Sequence, residues 1–166
     1  MPPADTWLIA LTFLTALGCA LVAGIFLAFS SFVMKALASI SPPSGIAAMQ
    51  AINVVVLNPG FLGPFMGTAL ACAVLLVYAA MHWQADGALC LMLGSLFYIV
   101  GTFGVTMVCN VPRNNALARM EPLGADAESF WRGYVATWTM WNHVRTAAGL
   151  VAAALLVWAL VLQASR

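Results

Sequence analysis

Apolar residues fill four long runs of the chain, and polar ones gather in the stretches between them. The runs cover residues 7–34, 61–81, 88–109 and 142–162. Each reaches the ~20 residues that a helix needs to cross a bilayer. The first exceeds a typical hydrocarbon thickness, so it is expected to tilt or to project from the membrane. No run alternates with period two, which argues against a β-barrel. The pattern predicts an all-α integral membrane protein, a four-helix bundle forming a single domain over residues 1–166.

The connections are unequal. Residues 82–87 are short enough for a tight turn, making the second and third spans an antiparallel hairpin. Residues 35–60 contain SPPSG at 41–45, a helix stop and restart, and then an amphipathic stretch at 46–57 closed by Asn58-Pro59-Gly60. Residues 110–141 hold a turn near Glu121-Pro122-Leu123-Gly124 and a second helical pattern over 129–141. Short interfacial helices are therefore expected in both long connections, folded back on the bundle end. Glycine spacing predicts close helix contacts at the GxxxG pair Gly63 and Gly67, and at Gly101 and Gly104.

Composition agrees with a chain solvated by lipid: 64% of residues are hydrophobic and only 7% charged. A net charge of +1 gives no basic surface for nucleic acid. The leader 1–6 carries Asp5 and no Lys or Arg, and the apolar run after it is too long for a signal sequence, so the first helix reads as retained. Lys35, Arg113, Arg119 and Arg132 lie in the two long connections, with Arg145 just inside the fourth span; the opposite side has only Arg166. The positive-inside rule then puts the long connections in the cytoplasm and both termini outside, the expected location being a bacterial plasma membrane.

Little in the chain suits a metal or a bound cofactor, and none is expected. Cys19, Cys72, Cys90 and Cys109 form no ligand spacing and read as small apolar packing residues. His82 and His143 fall at opposite ends of the bundle, a bilayer core of roughly 30 Å apart. No phosphate-cradling loop, GxSxG or intramembrane carboxylate is present.

Polar side chains converge instead on the end formed by the long connections. Asn53, Asn110, Asn114, Tyr134, Asn142, His143 and Arg145 all fall there. Polar groups at membrane depth are costly unless paired, so such a cluster suggests a wet cavity or a hydrogen-bonded network. Trp131, Tyr134, Trp138, Trp141, Asn142 and Arg145 recur at helical spacing along one stripe running into the fourth span. That wall suits a planar aromatic ligand bearing phenol or carbonyl oxygens. Tryptophan and tyrosine also anchor helices at interfaces, and arginine near a helix end can snorkel. Asn142 has no such anchoring role. His143 is a candidate general base, or a hydrogen-bonded structural residue.

The segments GIFLAFS (24–30), MQAIN (49–53), NVPRNNALA (110–118) and WRGYVATWTMWNHVRT (131–146) resemble the anthrone oxygenase family of small four-helix membrane proteins. The resemblance implies oxidation of an anthrone to an anthraquinone by molecular oxygen, with no cofactor, because an electron-rich enolate itself reacts with oxygen. On the hypothesis of a cofactor-independent oxygenase acting on a lipophilic aromatic, His143 would be the base, Asn142 and Arg145 would stabilise the oxyanion, and Tyr134, Trp138 and Trp141 would hold the ring, with Asn53, Asn110 and Asn114 contacting the ligand. Arg113 departs from the family pattern, where an apolar residue is usual. The alternative is a non-catalytic membrane module that binds a lipid or quinone-like molecule, or assists a partner protein.

Overall fold

The structure is a computed structural model and describes residues 3–164. Arg166, one of the residues used to orient the chain, lies outside them. The first helix, α1, runs from Pro3–Ala28 through a widened π turn at Phe29–Val33 into Met34–Ser39. Ile40 is extended and Ser41 precedes α2, Pro42–Val55, which opens on proline as the SPPSG pattern predicts. The side-chain oxygen of Asn58 accepts from the Phe61 N–H at 3.2 Å and caps α3, Pro59–Met81.

A tight turn follows. Gly87 has φ +82°, a left-handed conformation that costs glycine nothing, and it starts α4. This helix passes through Ala88–Leu96, two π stretches at Phe97–Gly104 and Thr106–Asn110, and finally Val111–Ala118. It therefore continues well past the expected end of the third span, across Pro112. Proline supplies no N–H to the ladder, and the widened register just before it absorbs that interruption. After the turn at Glu121, where Gly124 N donates to its carbonyl at 3.0 Å, α5 runs unbroken over Ala127–Ala164. The helix expected over 129–141 is thus no separate interfacial element but the start of α5, and α4 is prolonged beside it. No strand occurs among the described residues.

Among the described residues, four helices are long and apolar enough to cross a membrane. Their outward faces are apolar as well: Leu14, Leu70, Val77 and Val108 are all more than 60% exposed. Water would penalise such a surface, whereas lipid accommodates it. Inside, α1 packs chiefly on α5, burying Cys19, Val22 and Phe26 against Ala152 and Leu156. A second core lies at the connection end, where Met34, Ile46, Met49 and Leu117 pack on Trp131, Tyr134 and Trp138. Gln50 fastens α2 there by donating to the carbonyls of Leu117 and Met120 at 2.8 and 2.9 Å. Both long connections fold back against the bundle end, as expected.

The glycine expectation needs a correction. A Cβ at Gly63 or Gly67 would meet nothing within 4 Å, so this pair faces outward and makes no helix contact. At Gly104 it would approach only Ile99 O of its own helix, at 3.3 Å. Gly101 does lie in a close contact, its Cβ direction meeting that of Ala148 at 2.5 Å, and Gly94 lies against Leu156 and the Ala152 carbonyl. Spacing alone does not say which side of a helix meets its neighbour.

Candidate functional site

Between the two apolar cores lies a polar layer. On α5, steps of three and four residues turn Trp131, Tyr134, Trp138, Asn142 and Arg145 to the same inner face, and all five are buried. On α4, Thr102, Thr106 and Asn110 follow one another at intervals of four, within or at the end of its π stretches. The π turn of α1 delivers Ser30. Widened turns of this kind are often found where a helix serves a site.

Asn142 is the hub of this layer. Its amide nitrogen donates to the Phe26 carbonyl at 2.7 Å and to the Ser30 hydroxyl at 2.6 Å, while its side-chain oxygen accepts from Arg145 Nε at 2.8 Å. Arg145 Nη1 donates to the Thr106 hydroxyl at 3.3 Å, and that hydroxyl donates in turn to the Thr102 carbonyl at 2.7 Å. The guanidinium carbon lies 3.8 Å from the Phe26 ring centroid and 4.9 Å from that of Trp138. Both contacts are cation–π in kind.

No carboxylate joins them. Among the described residues the one ion pair is Arg132 with Glu128, exposed on α5 at 3.8 Å. Arg145 keeps only 5% of its surface open, yet side chains accept from just two of its groups, Nε and Nη1. Guanidinium offers five N–H donors in a planar fork. The arrangement is a desolvated cation between aromatic faces with donors to spare.

Aromatic rings extend the same environment. Phe26 lies 6.3 Å from Phe61 and 6.4 Å from Phe65, and Phe65 stacks on Phe103 at 5.3 Å. Towards the connection end, Tyr134 stacks between Trp131 and Trp138 at 5.6 and 6.4 Å. Asn114 accepts from the Tyr134 hydroxyl at 3.0 Å and from Trp138 Nε1 at 2.8 Å, and so fixes both rings.

Most of the residues singled out in the sequence meet here. Asn110 donates to the Trp138 carbonyl at 3.2 Å, and its buried side-chain oxygen has no partner. Asn53, on α2, has a buried side-chain nitrogen that makes no hydrogen bond. Trp141 is half-buried with its indole N–H unpartnered, and makes no ring contact with Arg145. His143 is the departure. It follows Asn142 directly, but one residue turns an α-helix by about 100°. Its side chain is exposed and lines an outer groove with Lys35, Thr139 and Met140, so it is not brought to the Arg145 guanidinium as the expected base. His82 stacks on Tyr78 at the tight-turn end. No group of three or more His, Cys, Asp or Glu gathers among the described residues.

Phe26, Ser30, Thr102, Thr106 and Thr146, whose buried hydroxyl donates to the Asn142 carbonyl at 2.7 Å, belong to the layer without having been singled out. The four-residue spacing of Thr102, Thr106 and Asn110 was the available signal. Ser30 gave none, because its inward position depends on the π turn.

A family model described as anthrone oxygenase matches residues 61–155, more than half of the chain. The chain belongs to the anthrone oxygenase family. No curated protein and no solved structure matches it. The matched region takes in Thr106, Asn110, Tyr134, Trp138, Asn142 and Arg145. Phe26, Ser30 and Asn53, which complete the layer from α1 and α2, precede the matched region.

Proposed function

We propose that this anthrone oxygenase family member binds a lipophilic aromatic with a carbonyl or phenolate oxygen beside Arg145 and oxidises it with molecular oxygen. The observation that carries the reading is the buried Arg145 guanidinium, held by Asn142 and Thr106 between two aromatic faces with no counter-anion. An uncompensated cation at this depth is costly, and an anionic or strongly dipolar oxygen would offset that cost. In a water-poor site the same guanidinium would stabilise an enolate more than its parent ketone, which is the condition for catalysis. The enolate supplies the electrons to oxygen. For an anthrone the balance is a CH2 losing both hydrogens, one oxygen atom retained as the new ketone, and the other released as water.

A second reading, binding without turnover, is favoured by one observation: His143 lies on the outer face and leaves Arg145 without a neighbouring imidazole to take the proton. One experiment separates the two. Purified protein in nanodiscs is given an anthrone, and oxygen uptake is followed with quinone absorbance against protein-free discs. Uptake above that background, matched by quinone, supports turnover. Saturable binding at background uptake supports the binding module, and the absence of both sinks the site.

A further inference from the structure

We propose that the groove between α1 and α5 is a binding site for the headgroup of an anionic phospholipid. This inference does not depend on the oxidation reading, because it uses a different face of α5. The groove is open to the outside, has a volume of about 470 Å³ and lies at the connection end of the two spans. Its walls are Met34, Ala38, Val135, Ala136 and Met140, and its polar lining comes from Ser30, Lys35, Thr139 and His143.

Two features fit one occupant. Lys35 contributes an ammonium and His143 a ring N–H donor from opposite helices, and no acidic residue lines the groove with them. A phosphate offers acceptors to both. From Met140 in the groove wall, Val144 and Val151 continue along α5 at helical spacing, the three being between 39% and 50% exposed. They give an acyl chain an apolar track leading away from the headgroup, which a soluble anion would not need. Basic pockets between spans suit anionic lipid headgroups for these reasons.

The site also borders the polar layer. Ser30 lines the groove, and its hydroxyl accepts from Asn142. A phosphate in the groove would therefore be one side chain away from the hub that holds Arg145.

The test is lipid selectivity. Protein is reconstituted in nanodiscs of mixed phosphatidylcholine and phosphatidylglycerol, transferred to detergent, and the retained lipids are measured by native mass spectrometry. The wild type is expected to keep phosphatidylglycerol in excess of its share in the discs. Lys35→Gln should reduce that enrichment roughly five-fold, the effect of one cation near an anionic headgroup. His143→Gln should lower it as well, whereas Lys35→Arg should retain it. Arg132→Gln is the control, since it removes a charge from an exposed residue of α5 that lies outside the groove. Equal enrichment in wild type and Lys35→Gln would overturn the proposal. So would an equal loss in Arg132→Gln, which would mean diffuse attraction to the bundle end instead of a site.

Discussion

Arg145 reaches back one turn of α5 to donate to the side-chain oxygen of Asn142 at 2.8 Å, and Asn142 hands its own protons across to α1. The pair therefore links a buried cation to the π turn of another helix. Either residue alone would be a poor choice for an apolar span. Together they satisfy each other and leave part of the guanidinium free.

Replacing Asn142 with leucine should show what that linkage contributes. The change removes the bonds to Phe26 and Ser30 and strips Arg145 of its Nε acceptor. Interhelical hydrogen bonds in membranes are worth ~0.6–2 kcal/mol each, so a loss of about 1–3 kcal/mol is expected. A steric- or thermal-unfolding assay in detergent measures it. Unchanged stability would mean that Asn142 is not the hub described.

Glycine substitutions should separate contact from coincidence. Gly101→Val would drive a side chain into Ala148, where even a Cβ meets another at 2.5 Å, and should destabilise by about 1–3 kcal/mol. Gly67→Ala has nothing within 4 Å to strike and should be neutral or slightly stabilising. The reverse ranking of the two unfolding midpoints would contradict the packing.

Amide exchange should be slow in α2 and in Ala127–Ala164 up to Trp141, because both pack into the second core and Gln50 fastens α2 to the end of α4. Rapid exchange throughout both segments in nanodiscs would mean that the long connections do not dock.

The spans, the turn at 82–87 and the folded-back connections were legible because hydropathy and Pro/Gly punctuation act locally. Part of the site was legible too, since Trp131 to Arg145 form a periodic stripe on a single helix. Two things were not. The side of the helix taken by His143 is decided by where α1 and α4 pack, and one residue of separation from Asn142 suffices to put it outside. The contribution of Ser30 depends on a π turn, whose register change leaves no pattern in hydrophobic spacing. Gly63 and Gly67 misled for a related reason, as a motif for close contact carries no information about whether a neighbour is there.

The excess of Lys and Arg at the connection end predicts that this end is cytoplasmic. Lys35, Arg113, Arg119 and Arg132 all lie there. A reporter fused after Arg166 should then be active only in the external compartment. Cytoplasmic activity would reverse the orientation while leaving the four spans intact.

Arg145→Lys distinguishes a binding role from simple tolerance of a buried charge. Lysine keeps the positive charge but replaces a planar fork by a compact ammonium, which cannot donate to Asn142, Thr106 and a ligand oxygen in one plane. It also loses the flat stacking of guanidinium between Phe26 and Trp138. The protein should still insert and fold, with unfolding shifted by no more than about 1–2 kcal/mol. Ligand binding should weaken by ten-fold or more, on the order of the 1.5–3 kcal/mol carried by a hydrogen bond to a charged group. Oxygen uptake, if the wild type shows it, should fall further, because an enolate gains more than its ketone from the fork. Were the guanidinium there only to reach headgroups, lysine would substitute with little effect. Wild-type binding and turnover in a folded Arg145→Lys protein would remove this residue from the site, and with it the reason for placing the ligand in the polar layer.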